Sequence, residues 1–342
     1  MKKILFATAS IVAFSAAGAA MADVEVTGEA RLGLFYQDNG EDSDVDGTSR
    51  IRVKFTMTGT SDSGLTFGAN IRGDNAVGGN DQGSEAPIAF DNCDGDCSGH
   101  VSTGGDAFVS GSFGTLTYGD TDSAVKTRVS HVDAISLTGL GDVHEVVLQP
   151  QSGPRIRYDY DFDSFGFSLS TEGEIDDYAI GASYSGDFGG TTIDFGIGYD
   201  NTEFSAVSLG DAYVLSYETD GTIAASLGAG FGAFGFKVAY VTNQLVDMDI
   251  AVSVSYDAGD LDVTAFYRQF DLDGDANVFD SIADLDLGGQ DVETDGSAYG
   301  IGASYDLGGG LVAKAGLAIT SLDDDISEDD FIQADLGLAM TF

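Results

Sequence analysis

The sequence predicts an all-β transmembrane barrel of about sixteen antiparallel strands. Three observations predict the barrel: short segments alternate apolar and polar residues along the chain, acidic stretches separate them, and no later stretch could form a transmembrane helix. An exported chain of this kind can cross lipid only as a closed sheet, because lipid offers the backbone no other hydrogen-bond partner. A soluble β-sandwich or β-solenoid is the alternative, but it needs no apolar face around a full circuit.

The composition restricts the class of function. The 342 residues include 57 acidic and 14 basic ones, for a formal net charge of −43, so we expect no binding to nucleic acid phosphates. Acidic chains are often disordered, but 22 Phe and 14 Tyr in a regular pattern argue for a folded protein. The acids cluster between the patterned segments, as solvated loops would require.

Residues 1–22 have the pattern of a secretory signal peptide. Lys2 and Lys3 form the positive start, residues 4–14 form the apolar core, and Ala20 and Ala22 flank a small-x-small cleavage site. An uncleaved membrane anchor is the alternative. We expect the mature chain to begin at Asp23 and residues 23–342 to form one barrel domain.

Segment 48–59 shows the strand pattern most clearly. Its two faces consist of Ile51, Val53, Phe55 and Met57 on one side, and of Arg50, Arg52, Lys54, Thr56 and Thr58 on the other. Successive side chains of a strand point to opposite faces, so one face is apolar and the other is polar. The same reasoning predicts further strands at 24–36, 65–72, 106–112, 115–120, 155–160, 165–169, 180–184, 193–199, 222–232, 234–241, 248–256, 261–267, 298–305, 311–320 and 331–342.

The connections support an outer-membrane barrel. Short turns, such as SDSG at 61–64 and DAGD at 257–260, alternate with longer acidic loops. Short periplasmic turns and longer external loops are typical of these barrels. The chain has no Trp, so we expect the Tyr and Phe residues at segment ends to form the interfacial girdles.

The final segment, 331–342, is apolar on one face up to its last residue. A membrane barrel needs such a strand, because it must pair with the first strand and close the sheet. The segment ends at Phe342, and we expect this aromatic residue to matter for assembly.

The stretch SFGTLTYGDTDSA at 112–124 resembles a Gram-negative general porin. In that family a strand of this kind leads into a long third loop that folds into the barrel, and the matching loop here is 121–154. The resemblance implies a homotrimer in the outer membrane, with a water-filled pore in each subunit. It also implies that the barrel-assembly machinery reads Phe342. The implied function is passive diffusion of ions and small hydrophilic solutes, which requires no cofactor.

The alternation of side chains along each strand predicts a basic wall in the lumen. The predicted wall consists of Arg31, Arg50, Arg52, Lys54, Arg72, Arg155 and Arg157. The inserted loop offers acids for the opposite side, namely Asp122, Asp133, Asp142 and Glu145. A basic wall that faces an acidic loop would place a transverse field across the narrowest point, as the porin resemblance also implies.

Three alternatives to this interpretation stay open. The arginines could simply solvate the lumen and pair with nearby acids, and Lys126 and Arg128 add positive charge to the acidic loop. A substrate-specific channel would show saturable flux, but the inward faces carry no run of aromatic residues. We expect no enzyme, because all the histidines fall in the two long insertions rather than at strand ends.

Two polar regions predict further chemistry in the external loops. Cys93 and Cys97 should form a disulfide in an exported chain, although the short loop they close can stabilise the fold only slightly. Acidic clusters are candidate Ca²⁺ sites that could bridge to lipopolysaccharide; solvated loops are the alternative. The candidate ligands are Asp42, Asp44, Asp46, Asp271, Asp273 and Asp275.

Overall fold

The computed structural model describes residues 23–40, 42–77, 101–146, 154–172, 177–201, 207–208, 214–216, 221–243, 246–272, 277–279, 294–322 and 330–342. Within these ranges, sixteen antiparallel strands each pair with their neighbours in the chain, and the last pairs with the first. The sheet is therefore a closed barrel, and the predicted fold class is confirmed. No helix in the described residues is long and apolar enough to cross a membrane.

The strands of the barrel occupy most of the described chain. They are β1 (Asp23–Asp38), β2 (Ser43–Thr60), β3 (Thr66–Val77), β4 (Val101–Gly111), β5 (Gly114–Gly119), β6 (Arg155–Phe162), β7 (Phe165–Thr171), β8 (Tyr178–Asp187), β9 (Thr191–Asp200), β12 (Thr222–Phe231), β13 (Phe234–Thr242), β14 (Val246–Asp257), β15 (Leu261–Leu272), β17 (Thr294–Gly308), β18 (Leu311–Leu322) and β19 (Phe331–Thr341). A separate small sheet contains β10 (Val207–Ser208), β11 (Val214–Ser216) and β16 (Asn277–Phe279).

Burial follows the predicted alternation. On β1 the side chains of Leu32 and Leu34 are 51% and 55% exposed, whereas Arg31 between the apolar positions is only 7% exposed. On β19 Leu336 is 60% exposed, and its neighbour Asp335 is 5% exposed. The apolar faces therefore point outward and the polar faces inward, which is the reverse of a soluble sandwich.

Several strands are longer than the sequence pattern predicts. β2 begins at Ser43, so the acidic stretch expected to be a loop is part of the strand and pairs with the end of β1. β3 and β4 also extend into the predicted insertion 73–104. Polar residues can continue these strands, because sheet hydrogen bonds depend on the backbone and strand ends outside the lipid need no apolar face.

The buried apolar cluster lies inside the barrel. It joins residues of the segment between β5 and β6, including Val125, Val129, Val132 and Leu140, to small residues on the inner wall such as Ala224. This segment contains helix α1 (Ala124–Arg128) and a 3₁₀ turn at Leu140–Asp142. The inserted loop, defined here as 121–146, is thus packed against one side of the lumen.

Candidate pore constriction

The strand register sets three of the predicted basic residues side by side. Lys54 on β2 pairs directly with Arg72 on β3, and Arg52 lies one inward position further along β2. Arg52 pairs with Asp74, to which its guanidinium donates two hydrogen bonds of 2.8 and 3.0 Å. The Nε of Arg72 lies 3.3 Å from the second carboxylate oxygen of Asp74.

An open cavity of about 300 Å³ lies against this wall. Its lining is strongly charged and consists of Thr27, Glu29, Arg52, Lys54, Asn70, Arg72, Gly104, Gly105, Asp106 and Asp120. Three cations therefore face three carboxylates across β1–β4 and the start of the inserted loop. The structure brings Arg52, Lys54 and Arg72 of the predicted wall together, on a surface that also carries carboxylates. Their role in selectivity stays a prediction.

The other predicted basic residues take different places. Arg155 is 1% exposed and forms an ion pair with Glu172. Arg157 binds the start of the inserted loop, since its NH1 group donates to the Thr121 hydroxyl at 2.6 Å and to the Asp122 carbonyl at 2.9 Å.

Arg31 and Arg50 are opposite each other on β1 and β2, next to the Glu29–Arg52 pair. The NH1 group of Arg31 donates to the carbonyl oxygens of Leu137 and Thr138, both at 3.0 Å. Arg31 therefore holds the inserted loop as well as carrying charge.

Glycines on the inner wall allow the inserted loop to pack closely against the strands. A Cβ on Gly302 would lie 1.6 Å from the Ile135 carbonyl oxygen, and one on Gly33 would lie 2.3 Å from Leu137. Such distances leave no room for a side chain, so the loop lies directly on the wall, through its backbone at Gly302 and through the Leu137 side chain at Gly33. The loop crosses from β7–β9, where α1 packs, to β17–β19 and β1.

Asp335 on β19 binds the loop at its far end. One of its carboxylate oxygens accepts hydrogen bonds from the backbone N–H groups of Leu137 and Thr138 at 2.9 and 2.7 Å, and from the Thr138 hydroxyl at 2.8 Å. Hydrogen bonds to a buried carboxylate are stronger than neutral ones. Asp335 and Arg31 together satisfy both the N–H and C=O groups of this short stretch.

Further wall residues hold the rest of the loop. The hydroxyls of Ser170, Ser226 and Ser253 accept hydrogen bonds from loop backbone N–H groups at 2.9, 3.1 and 3.0 Å. Arg268 donates two 2.9 Å hydrogen bonds to Asp249 and reaches the Val143 carbonyl at 3.3 Å. The loop therefore has attachments on strands around the inner wall.

The four predicted loop acids do not form one cluster. Asp122 lies 3.9 Å from Lys126, and Asp133 accepts a 2.7 Å hydrogen bond from Lys237. The Asp142 side chain is exposed, but the protein around it partly desolvates its carboxyl group. This desolvation and the Glu145 carboxylate raise the pKa of Asp142 to about 6, whereas Lys126, Arg31 and Arg50 act to lower it. These four acids stay predictions as selectivity residues.

Two half-buried histidines, His131 and His144, lie in the same loop as Glu145. Burial raises the pKa of Glu145, whose carboxylate is 3.4 Å from the His131 Nε2 atom. Burial also lowers the pKa of His131 and of His144 to about 4, so both imidazoles are neutral at pH 7. The His144 ring packs at 5.8 Å from the Phe266 ring, which places it in the apolar contact between loop and wall.

One of the two loop cations, Arg128, is bound to the barrel wall. Arg128 donates to Asp161 at 2.7 Å, to the Ser168 hydroxyl at 2.7 Å and to the Phe167 carbonyl at 2.9 Å. It therefore lies against β6 and β7 and, with Asp161, Asp159 and Arg157, lines a second open cavity of about 430 Å³.

The predictions for the external loops stay predictions. Cys93, Cys97, Asp273 and Asp275 lie outside the described residues. Asp44 and Asp46 belong to the extended strand β2, and Asp42 directly precedes it, so the three carboxylates do not surround a common point. Among the described residues no group of three or more His, Cys, Asp or Glu side chains is arranged to hold a metal.

Sequence reasoning missed the acids that compensate the basic wall and the residue that holds the loop. Asp74, Asp106 and Asp120 fell in segments read as insertions or as short strands. Asp335 could have been identified from the sequence, because it is the one charged residue in the otherwise apolar or neutral closing strand.

Comparisons with known proteins agree on one family. A family model described as Gram-negative porin matches residues 7–325. A porin of Rhodobacter capsulatus is 29% identical, in an alignment that covers 94% of this chain and all of that protein. A porin structure refined at 1.8 Å aligns with a TM-score of 0.59 and 24% identity, over 94% of this chain and 100% of its own.

A triple mutant of Rhodopseudomonas blastica porin aligns with a TM-score of 0.63 and 17% identity, over 93% of this chain and 100% of its own. At this identity the likeness supports the fold alone, and it agrees with the closed sixteen-stranded barrel. The family match covers most of the sequence, and the barrel encloses an open, charged lumen beside a packed loop. The chain therefore belongs to the Gram-negative porin family and is a diffusion channel of the outer membrane.

Proposed function

We propose that ions and small hydrophilic solutes pass between the wall of β1–β4 and the inserted loop. The open cavity beside Arg52, Lys54 and Arg72 is the observation that supports this route. The loop fills the opposite side of the lumen and is attached there through Asp335 and the wall serines. Passage requires no catalytic group and no cofactor, so we propose a passive channel rather than an enzyme.

The charges on the two sides create a weak transverse field in this proposal. The wall carries Arg50, Arg52, Lys54 and Arg72, and the loop carries Asp142, whose carboxylate is close enough to Arg31 and Arg50 to be stabilised by them. The carboxylates on the wall reduce its net positive charge. Ion selectivity therefore depends on the balance between the charges at the narrow part of the pore and those at its mouths. The net acidity of the chain favours cations at the mouths.

A planar-bilayer recording tests the proposed function. The purified protein should give stepwise conductance that rises with salt without saturating, with a reversal potential that indicates weak cation preference. Cation preference should decrease at high salt, because counterions screen the charges at the mouths within about 8–10 Å at physiological salt. Absence of conductance steps from the folded protein would contradict a diffusion channel.

We propose a homotrimer whose contact surface is the outer face of β19, β1 and β2. Most of the exposed aromatic side chains lie on the outer faces of β6–β9 and β12–β17, whereas the described residues of β19, β1, β2 and the C-terminus add only Phe55 and Phe342. They are Tyr158, Tyr160, Phe162, Phe165, Phe167, Tyr178, Phe195, Phe231, Phe234, Phe236, Tyr256, Tyr267, Tyr299 and Tyr305. The outer face of β1 instead carries aliphatic side chains such as Val24, Val26, Leu32 and Leu34. Lipid-facing surfaces need aromatic girdles at both interfaces, so the aromatic-poor wall suits a second copy better than lipid.

Single-tryptophan variants can test this surface because the chain has no Trp. Leu32→Trp should be protected from quenching by brominated lipid in reconstituted vesicles, whereas Phe167→Trp on the aromatic wall should be quenched. Equal quenching of both variants would show that β1 faces lipid and would contradict the proposed contact. Chemical cross-linking in the same vesicles should yield a species three times the subunit mass.

Two further partners follow from the external acids and the closing strand. We propose that Ca²⁺ bridges external carboxylates to lipopolysaccharide phosphates, because both are hard oxygen ligands. We also propose that the assembly machinery of the outer membrane binds the closing strand at Phe342. Calcium removal should then lower the thermal stability of the protein in lipopolysaccharide but not in plain detergent.

A further inference from the structure

We infer that the cavity beside Lys54 and Arg72 is a binding site for small zwitterionic solutes of the amino acid type. The inference rests on the proposed route of passage, since it names a solute class for the same cavity. The relevant charges are Lys54 and Arg72 on one side, and Asp106 and Asp120 on the other.

The two cations are neighbours without enough negative charge between them. Lys54 and Arg72 are directly opposite on adjacent strands, where side-chain Cβ atoms are roughly 5 Å apart and like charges repel. Arg72 is 51% exposed, and its Nε lies 3.3 Å from Asp74. Among the described residues the Lys54 ammonium makes no ion pair or hydrogen bond, and its side chain is exposed to the cavity.

One neighbouring carboxylate, that of Asp74, is already bound to Arg52. Asp74 is 4% exposed and accepts both hydrogen bonds from Arg52, which also lies 3.6 Å from Glu29. These three groups form a nearly closed network next to Lys54. A solute carboxylate placed between Lys54 and Arg72 would therefore meet two cations whose charge the wall does not fully compensate.

The opposite charges lie on β4, at Asp106, and directly after β5, at Asp120. Asp106 on β4 pairs with Asn70, the next inward position after Arg72 on β3, so it is a diagonal neighbour of Arg72 at roughly 7–8 Å. Gly104, the residue opposite Arg72, has no side chain, and an Oδ atom of Asp120 lies where its Cβ would be, at 1.9 Å. Glycine at this position lets the Asp120 carboxylate lie next to the cations.

This arrangement selects a solute that carries both charges. A simple anion would be attracted by Lys54 and Arg72 but repelled by Asp106 and Asp120. A simple cation would be attracted by the two aspartates but repelled by Lys54 and Arg72. A zwitterion can place its carboxylate against the cations and its ammonium against the aspartates. The volume of about 300 Å³ accommodates a small amino acid with some of its water.

The test uses four probes with one carbon skeleton. γ-Aminobutyrate is zwitterionic, butyrate is an anion, butylammonium is a cation and butyramide is neutral. Each is added to the channel in a planar bilayer at constant potassium chloride, and the single-channel conductance is measured against probe concentration. We expect γ-aminobutyrate to lower the conductance along a saturating curve, and butyramide to lower it only in proportion to solution viscosity.

Variants assign the effect to the cavity. Lys54→Gln and Asp106→Asn should each raise the half-blocking concentration of γ-aminobutyrate at least about tenfold. Lys54→Arg should keep the block, because it keeps the charge. Asp194→Asn removes an exposed carboxylate on β9, away from the cavity, and should leave the half-blocking concentration unchanged.

Four results would overturn the inference. Equal block by butyrate and γ-aminobutyrate would indicate a plain anion site, and equal block by butylammonium would indicate a plain cation site. A conducting channel that none of the four probes blocks would refute the binding site and leave the proposed function intact. A folded wild-type protein without conductance would instead refute the proposed function, and this inference with it.

Discussion

At the residue scale, the carboxylate of Asp335 fixes the position of the inserted loop. A single oxygen atom accepts three hydrogen bonds from Leu137 and Thr138, and Arg31 binds the carbonyl oxygens of the same two residues. Loss of the carboxylate would leave two backbone N–H groups without this partner at a largely buried site. Unsatisfied buried donors are costly, so this contact limits the movement of the loop.

We predict that Asp335→Ala loosens the loop. The free energy of unfolding should fall by about 2 kcal/mol, because hydrogen bonds to a charged acceptor are lost. Open-channel current noise should increase, since the stretch at 137–138 can then leave the wall. Asp194→Ala, which removes a lumen-facing carboxylate without a described contact to the loop, serves as the control. Unchanged noise and stability in Asp335→Ala would show that other contacts suffice.

Asp142 should make selectivity depend on pH. Desolvation and the nearby Glu145 carboxylate raise its pKa to about 6, so it gains a proton as the pH falls from 7 to 5. One negative charge of the loop then disappears, and we predict that cation preference, measured as reversal potential in a salt gradient, decreases over this range. Asp142→Asn should have the low-pH selectivity at every pH between 5 and 7.

The same pKa shift has a consequence for stability with a definite sign. Because the folded-state pKa is above the ordinary value of 3.8, the folded protein binds more protons than the unfolded chain between about pH 4 and 6. Ionisation of Asp142 therefore costs stability as the pH rises through this window. Asp142→Asn should be more stable than wild type above pH 6 and similar below pH 4; the opposite order would refute the raised pKa.

At the element scale, the position of the inserted loop depends on glycines of the inner wall. A Cβ at Gly302 would meet the Ile135 carbonyl oxygen at 1.6 Å, and this oxygen belongs to the loop backbone. We predict that Gly302→Ala pushes the loop toward the pore and lowers the single-channel conductance. Gly47→Ala is the control, because nothing lies within 4 Å of the position its Cβ would take. Equal conductance in the two variants would show that the loop accommodates the change without moving.

The strands could be predicted from the sequence, but the path of the loop could not. Alternation such as that of Ile51 and Arg52 reports which face a residue occupies, because the period of a strand is two. It does not report which residue is opposite on the next strand, so the Lys54–Arg72 pair and the Asp74 contact with Arg52 required the register. The position of the loop depends on contacts over large sequence separations, such as Leu137 with Asp335.

The closing strand joins the two ends of the barrel. Phe342 exchanges backbone hydrogen bonds with Gly28 at 2.8 and 3.2 Å, and its ring is 63% exposed on the outer face. We predict that deletion of Phe342 lowers the yield of folded, heat-modifiable protein in the outer membrane more than Phe342→Asp, because deletion removes the hydrogen bonds as well. Normal yields for both variants would contradict a role of this residue in closure.

At the scale of the whole molecule, the acidic mouths and the mixed-charge wall have opposite effects on ion selectivity. The net charge of −43 attracts cations to the mouths, whereas Lys54 and Arg72 keep positive charge at the narrow part. We predict that Lys54→Gln with Arg72→Gln strengthens cation preference and speeds the flux of bulky solutes. An unchanged reversal potential would show that these side chains do not lie at the barrier.

The location of the pore is the central claim, and cysteine modification tests it most directly. In a Cys93→Ser, Cys97→Ser background, Lys54→Cys should face the water-filled route and Val53→Cys should face the outside of the same strand. A bulky, charged methanethiosulfonate reagent is added during a single-channel recording, and its attachment to each cysteine is verified by mass. The account predicts a stepwise fall in conductance for Lys54→Cys and none for Val53→Cys. Unchanged conductance after modification at Lys54→Cys, or an equal fall at Val53→Cys, would contradict the claim.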